Sequence, residues 1–121
     1  MGMVKIALAD DDVDLRTSLH MLLELHGFQV VISVGNGADL LASLPGVPVD
    51  VILTDFHMDQ GGLPLLERLQ ALHQDIPVYV LSGEFRGTRE VEAVGVKRLY
   101  QKGDFGPGQI REIYSVLLES R

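Results

Sequence analysis

The sequence predicts an α/β fold: one parallel sheet of five strands, doubly wound, with helices on both faces. Three observations predict it. Five short β-rich runs recur along the 121 residues, segments with helical apolar spacing separate them, and glycine and proline stand at the junctions. Strands apolar on both faces need cover on both sides, and parallel neighbours need crossover connections, which the helices supply.

The first strand is expected over residues 4–9, where VKIALA is apolar at nearly every position. Leu15, Leu19, Leu22 and Leu23 then form one face of a helix, with Asp12 and Asp14 as caps of its first turn. Gly27 ends that helix. A second strand over residues 30–34 is closed by Gly35-Asn36-Gly37, and Gly46 and Pro48 precede a third over residues 49–54. Gly61-Gly62 open a helix faced by Leu65, Leu66, Leu69 and Leu72, with Pro64 in its first turn, where the missing N–H is no loss. Pro77 introduces the fourth strand, residues 78–82. Between Gly83 and Gly95 the pattern is weak, and a short, mobile fourth helix is expected near residues 89–94. The fifth strand spans residues 98–101, and Ile110, Ile113 and Leu117 mark the last helix. Five such strands commonly take the order 2-1-3-4-5, the flavodoxin-like arrangement.

Length implies a single domain over residues 1–121, with Met1-Gly2 set aside as an added remnant because Met3 is a second possible start. Seventeen Asp and Glu against ten Lys and Arg give a net charge of −7, which repels polyanions and argues against direct nucleic-acid binding. Without cysteine there is neither a disulfide framework nor a thiolate metal site. No apolar run approaches the ~20 residues that span a bilayer. No membrane partner is expected, and a cytoplasmic location is the default.

In an open sheet of order 2-1-3-4-5, ligands bind beyond the carboxyl ends of strands one and three, where the order reverses. Strand one ends in Asp10-Asp11-Asp12 and strand three in Asp55, while strands four and five end at Ser82 and Lys102. Carboxylates about 5 Å apart repel by about 3 kcal/mol at an effective dielectric near 20, so the pocket needs a cation. Oxygen ligands with open positions suit Mg²⁺. Beside it Asp55 is placed to attack phosphorus and form an aspartyl phosphate, with Lys102 and Ser82 holding the phosphoryl oxygens. His20, His26 and His73 lack metal-ligand spacing and are expected to be solvated.

Asp10-Asp11 after residues 4–9, Asp55 after residues 51–54, Ser82 after residues 78–81 and Lys102 after residues 99–101 together resemble the receiver domain of two-component response regulators. The resemblance covers essentially the whole chain. It implies that Asp55 is the phosphoacceptor and that Asp11 and Asp55 bind Mg²⁺ through their side chains. Asp10 would assist through water, and the main-chain carbonyl of His57 would complete the protein ligands. It further implies a histidine kinase or phosphotransfer protein as donor, a protein output partner docking over residues 86–118, and catalysis directed only at the domain itself. His57 and Glu84, two residues beyond Asp55 and Ser82, are expected to face one another across the site.

Three positions depart from the family's pattern. Met58 is followed by Asp59-Gln60-Gly61-Gly62, with no proline and one residue fewer. Leu99 stands where an aromatic is usual, with Tyr100 one place later on the opposite face. Gly103 replaces the usual proline, so a trans Lys102–Gly103 bond is expected, with the glycine's wider dihedral range helping the chain to turn. Two alternatives remain open: a phosphatase of the haloacid dehalogenase type, read from the Asp-x-Asp of residues 10–12, and a degenerate receiver that binds partners without phosphorylation.

Overall fold

Apolar side chains on both faces of β1 (Val4–Ala9) force it to the middle of a sheet, and there it pairs in parallel with β2 (Phe28–Val34) and β3 (Val51–Asp55). The computed structural model describes residues 3–83 and 88–120. With β4 (Val78–Ser82) and β5 (Arg98–Gln101), the strand order is β2-β1-β3-β4-β5, as expected. The crossovers are α1 (Val13–Leu25), α2 (Gly37–Ser43), α3 (Gly62–Leu72) and α4 (Thr88–Ala93), and α5 (Pro107–Glu119) ends the described chain. No helix among the described residues is long and apolar enough to cross a membrane.

Alternation along the strands divides the interior into two layers. Ile6, Leu8, Leu53 and Leu81 pack with Leu19 and Leu23 of α1 and Ile110, Ile113 and Leu117 of α5. Ala7, Ile52, Val78 and Val80 pack on the other face with Leu40 of α2, Leu65, Leu66 and Leu69 of α3, and Val91 of α4. The ladders match Ala9 with Thr54, Asp55 with Leu81 and Ser82 with Gln101, so the carboxyl ends of β1, β3, β4 and β5 reach one edge together.

Two strand starts differ from expectation. β2 begins at Phe28 rather than residue 30, because Phe28 is fully buried and meets the ring of Tyr114 edge-on at 5.5 Å, anchoring the strand directly after Gly27. β3 begins at Val51 rather than residue 49 and ends on Asp55 itself. Asp50 enters with its side chain: Oδ2 accepts the Lys5 N–H at 2.8 Å, a position a ladder carbonyl would otherwise take.

Tyr100 is buried in the α1–α5 layer, stacked on Tyr79 at 6.2 Å with its hydroxyl donating to Glu112 at 3.1 Å. Leu99 packs into the opposite layer, as period two requires. Burial, with the nearby Glu112 carboxylate, pushes the Tyr100 hydroxyl well above its ordinary value. Described peptide bonds are all trans, including Lys102–Gly103. The turn there is a 3-10 helix over Lys102–Asp104, and Gly103 does not use the left-handed region. The wider dihedral range expected to serve at Gly103 is not what makes the turn.

Removing the fully buried Phe28 ring by Phe28→Ala should cost about 3–5 kcal/mol in urea unfolding. Leu25→Ala, at a side chain that is 78% exposed, should stay within about 0.5 kcal/mol. Similar losses at the two positions would contradict this account of the core.

Candidate functional site

At the shared strand edge, three carboxylates meet. One oxygen each from Asp10, Asp11 and Asp55 lies within 4.8 Å of the other two. Asp10 and Asp55 are buried, at 0% and 1% exposure, whereas Asp11 faces solvent. Lys102 Nζ reaches in from the turn after β5, 3.0 Å from Asp55 Oδ2 and 3.4 Å from Asp10 Oδ2. Ser82 closes β4 one residue past the ladder partner of Asp55 and is buried at the same edge.

The backbone holds these groups from several sides. Asp10 N–H donates to the Val34 carbonyl at 3.0 Å, and Asp10 Oδ1 accepts the Asp12 N–H at 2.9 Å. His57 N–H donates to Asp55 Oδ1 at 3.2 Å, which fixes the rotation of that carboxylate and places the exposed His57 on the loop over the site. Asp12 caps α1, its Oδ1 accepting the Leu15 N–H at 3.1 Å, and Asp14 sits in the first turn. The Asp12 side chain is therefore committed to the helix and is turned away from Asp-x-Asp chemistry. Glu84, expected opposite His57, lies outside the described residues.

The other histidines stand away from this edge. His20 pairs with Glu24 at 3.5 Å along α1. His26, expected to be solvated, is half-buried, and its Nδ1 lies 2.8 Å from the Leu22 carbonyl at the end of the helix. An unsatisfied terminal carbonyl is a natural partner for an imidazole.

Charge balance dominates the chemistry. Burial is the largest influence on Asp55 and raises its carboxyl above the ordinary 3.8; the Lys102 hydrogen bond opposes this, and the Asp10 charge adds to it. For Lys102, burial disfavours the ammonium, but the hydrogen bond and charge of Asp55, aided by Asp10, outweigh it and hold the lysine above its ordinary value. Among the described residues Asp10 Oδ2 is left without a hydrogen-bond donor and faces the Lys102 ammonium as an ion pair at 3.4 Å. A hard cation with open positions matches this set of oxygens.

Arg16 supports the site without any signal in the sequence. It lies on the half-buried side of α1, and its Nη1 donates to the Asp10 carbonyl at 2.7 Å. The partnership of Gly37 N–H with the Asp59 carbonyl, at 2.9 Å, was equally hidden, because it joins segments 22 residues apart in sequence.

Between 3.8 and the raised value of folded Asp55 the fold favours the neutral carboxyl, and above that window the ionised side chain weakens the metal-free protein. The stabilising contribution of the neutral form is complete below the unfolded value and is lost as pH rises through the folded one. Asp55→Asn should therefore melt higher than wild type at neutral pH without divalent metal, the gap narrowing as pH falls toward 3.8. A lower melting temperature for Asp55→Asn at neutral pH would contradict this balance.

Residues 6–102 match the family described as the response regulator receiver domain. The transcriptional regulatory protein FlgR of Helicobacter pylori is 33% identical over 82% of this chain, and the matched part is 26% of that protein. A putative transcriptional regulator of Pseudomonas aeruginosa is 32% identical over 96% of this chain and 54% of its own length. The chain thus spans only part of these curated relatives. Among solved structures, RcsB of Salmonella typhimurium superposes with a TM-score of 0.88 at 18% identity, covering 100% of this chain and 62% of that one. A LuxR-family DNA-binding response regulator from Staphylococcus aureus gives 0.87 at 21% identity, covering 95% and 99%. At these identities the superpositions speak to the fold, while the family match speaks to descent. The chain belongs to the response regulator receiver domain family.

Proposed function

We propose that Asp55 accepts a phosphoryl group from the phosphohistidine of a histidine kinase or phosphotransfer protein, and that the modified domain changes its affinity for a protein partner. The observation that carries this reading is the buried Asp10–Asp55 pair with Asp11 at its rim and one ammonium, Lys102, between them. Mg²⁺ would be held by the side chains of Asp11 and Asp55 and the main-chain carbonyl of His57, with Asp10 assisting through water. When bound it supplies positive charge that screens an incoming phosphoryl group from the carboxylates.

In this reading Asp55 forms a new oxygen–phosphorus bond while the phosphorus–nitrogen bond of the donor breaks, and the imidazole leaves with the electron pair. The His57 N–H keeps the Asp55 carboxylate oriented. Lys102, already paired with Asp55 Oδ2, supplies charge to the phosphoryl oxygens, and the Ser82 hydroxyl supplies a hydrogen bond. Catalysis is then directed at the domain's own aspartate, and no other substrate is turned over. The charge of −7 favours a protein partner over nucleic acid for this domain. A surface made of the α4 region, β5 and α5, residues 86–118, is the proposed output face; residues 86 and 87 lie outside the described residues.

Intact-mass measurement after incubation with a small acyl phosphate and Mg²⁺ tests the reading. Wild type should gain a single phosphoryl adduct, Asp55→Asn none, and chelation of the metal should prevent it. An adduct that persists in Asp55→Asn would move the acceptor elsewhere. No adduct under any condition would favour a receiver that works unphosphorylated, and turnover of phosphate monoesters would favour the phosphatase.

A further inference from the structure

The junction of β2 with α2, residues 35–37, carries none of the proposed ligands, yet both acidic loops rest on it. On one side is Arg16, whose Nη1 holds the Asp10 carbonyl at 2.7 Å. Its guanidinium fills the space beside Gly35, where a Cβ would stand 2.9 Å from Nη1. On the other side, the Gly37 N–H, one of the free donors of the first turn of α2, is taken by the Asp59 carbonyl at 2.9 Å. The Gln60 carbonyl lies so close over buried Gly37 that a Cβ would stand 1.7 Å from its oxygen and 2.6 Å from its carbon.

The two glycines differ in what faces them. At Gly35 the neighbour is the tip of a flexible side chain, which can swing away. At Gly37 it is backbone, and that backbone is already constrained. Gln60 has φ of 56°, the left-handed region disfavoured for a side-chain-bearing residue, and no other non-glycine among the described residues shares it. Gly61 N–H bonds to the Met58 carbonyl and Gly62 N–H to the Phe56 carbonyl, both at 3.0 Å, which ties the loop into one unit. His57 lies within that unit, and its N–H holds Asp55 Oδ1.

We infer that Gly37 is a positioning residue: its missing side chain lets the β3–α3 loop seat on α2, and this seat sets where the His57 main chain stands relative to Asp55. The consequence for metal rests on the proposed role of the His57 carbonyl; the consequence for the His57–Asp55 hydrogen bond does not. Gly46 provides the control. Unlike Gly37 it is a left-handed glycine, with φ of 80°, and nothing lies within 4 Å of its Cβ position. Gly46→Ala strains the backbone without touching the loop.

The test combines amide NMR of the metal-free protein with Mg²⁺ titration. Gly37→Ala should shift the His57, Gly61 and Gly62 amides while leaving β1 amides such as Leu8 in place, and should weaken Mg²⁺ binding by about 10–100-fold. Gly46→Ala should lower the melting temperature yet leave those amides and the Mg²⁺ affinity as in wild type. Adding Gln60→Gly to Gly37→Ala should recover much of both signals, since glycine at 60 can leave the left-handed region and turn its carbonyl aside. An unmoved His57 amide in Gly37→Ala, or equal changes in Gly46→Ala, would overturn the inference. If Gly37→Ala does not fold, the double variant must, and its failure would equally overturn it. A wild type that binds no Mg²⁺ would defeat the metal reading alone, while the amide comparison still judges Gly37.

Discussion

Two carboxylates in the interior with one ammonium between them are the constraint on which the rest of this domain depends. Asp10 and Asp55 lose their water to the sheet edge, and Lys102 reaches both. Taking an ion out of water costs several kcal/mol after relaxation, a large share of a net stability near 5–15 kcal/mol. The two apolar layers, which cover β1 and β3 almost fully along their length, offset that cost. Only a sheet that places β1 beside β3 brings the two acidic ends together, and only a turn after β5 returns the lysine to them. The 3-10 turn over Lys102–Asp104 does this with trans bonds and ordinary dihedrals.

Much of this was legible in the sequence because it depends on period and position. Short, continuously apolar runs mark strands, breakers mark their ends, and the order 2-1-3-4-5 puts the ends of strands one and three side by side. The opposite orientations of Leu99 and Tyr100 follow from period two alone, and the structure places them in opposite layers. Tyr100 is a packing residue held by Tyr79, Phe105 and Glu112, and Arg98 lies over its ring at 4.9 Å. The residue facing the α4 layer is an aliphatic leucine.

What was not legible depends on approaches between distant segments. Gly37 reads in sequence as a turn glycine, and nothing in its neighbourhood announces that the backbone of Gln60 will press on it. Arg16 carries no mark in the sequence, yet it spans from α1 to the Asp10 carbonyl. The start of β2 was missed for a similar reason, since Phe28 is drawn into the strand by Tyr114, 86 residues later. Local propensity carries no information about such pairs, and these pairs finish the site.

The loop after Asp55 is held by backbone bonds to α2 and within itself. The most direct measurement of the central claim is a crystal structure grown with Mg²⁺ and beryllofluoride. The account predicts a cation touching the Asp11 and Asp55 carboxylates and the His57 carbonyl, beryllofluoride on Asp55, and Lys102 moved from Asp10 toward a fluoride. A cation bound elsewhere, or Lys102 still bridging Asp10 and a bare Asp55, would contradict it.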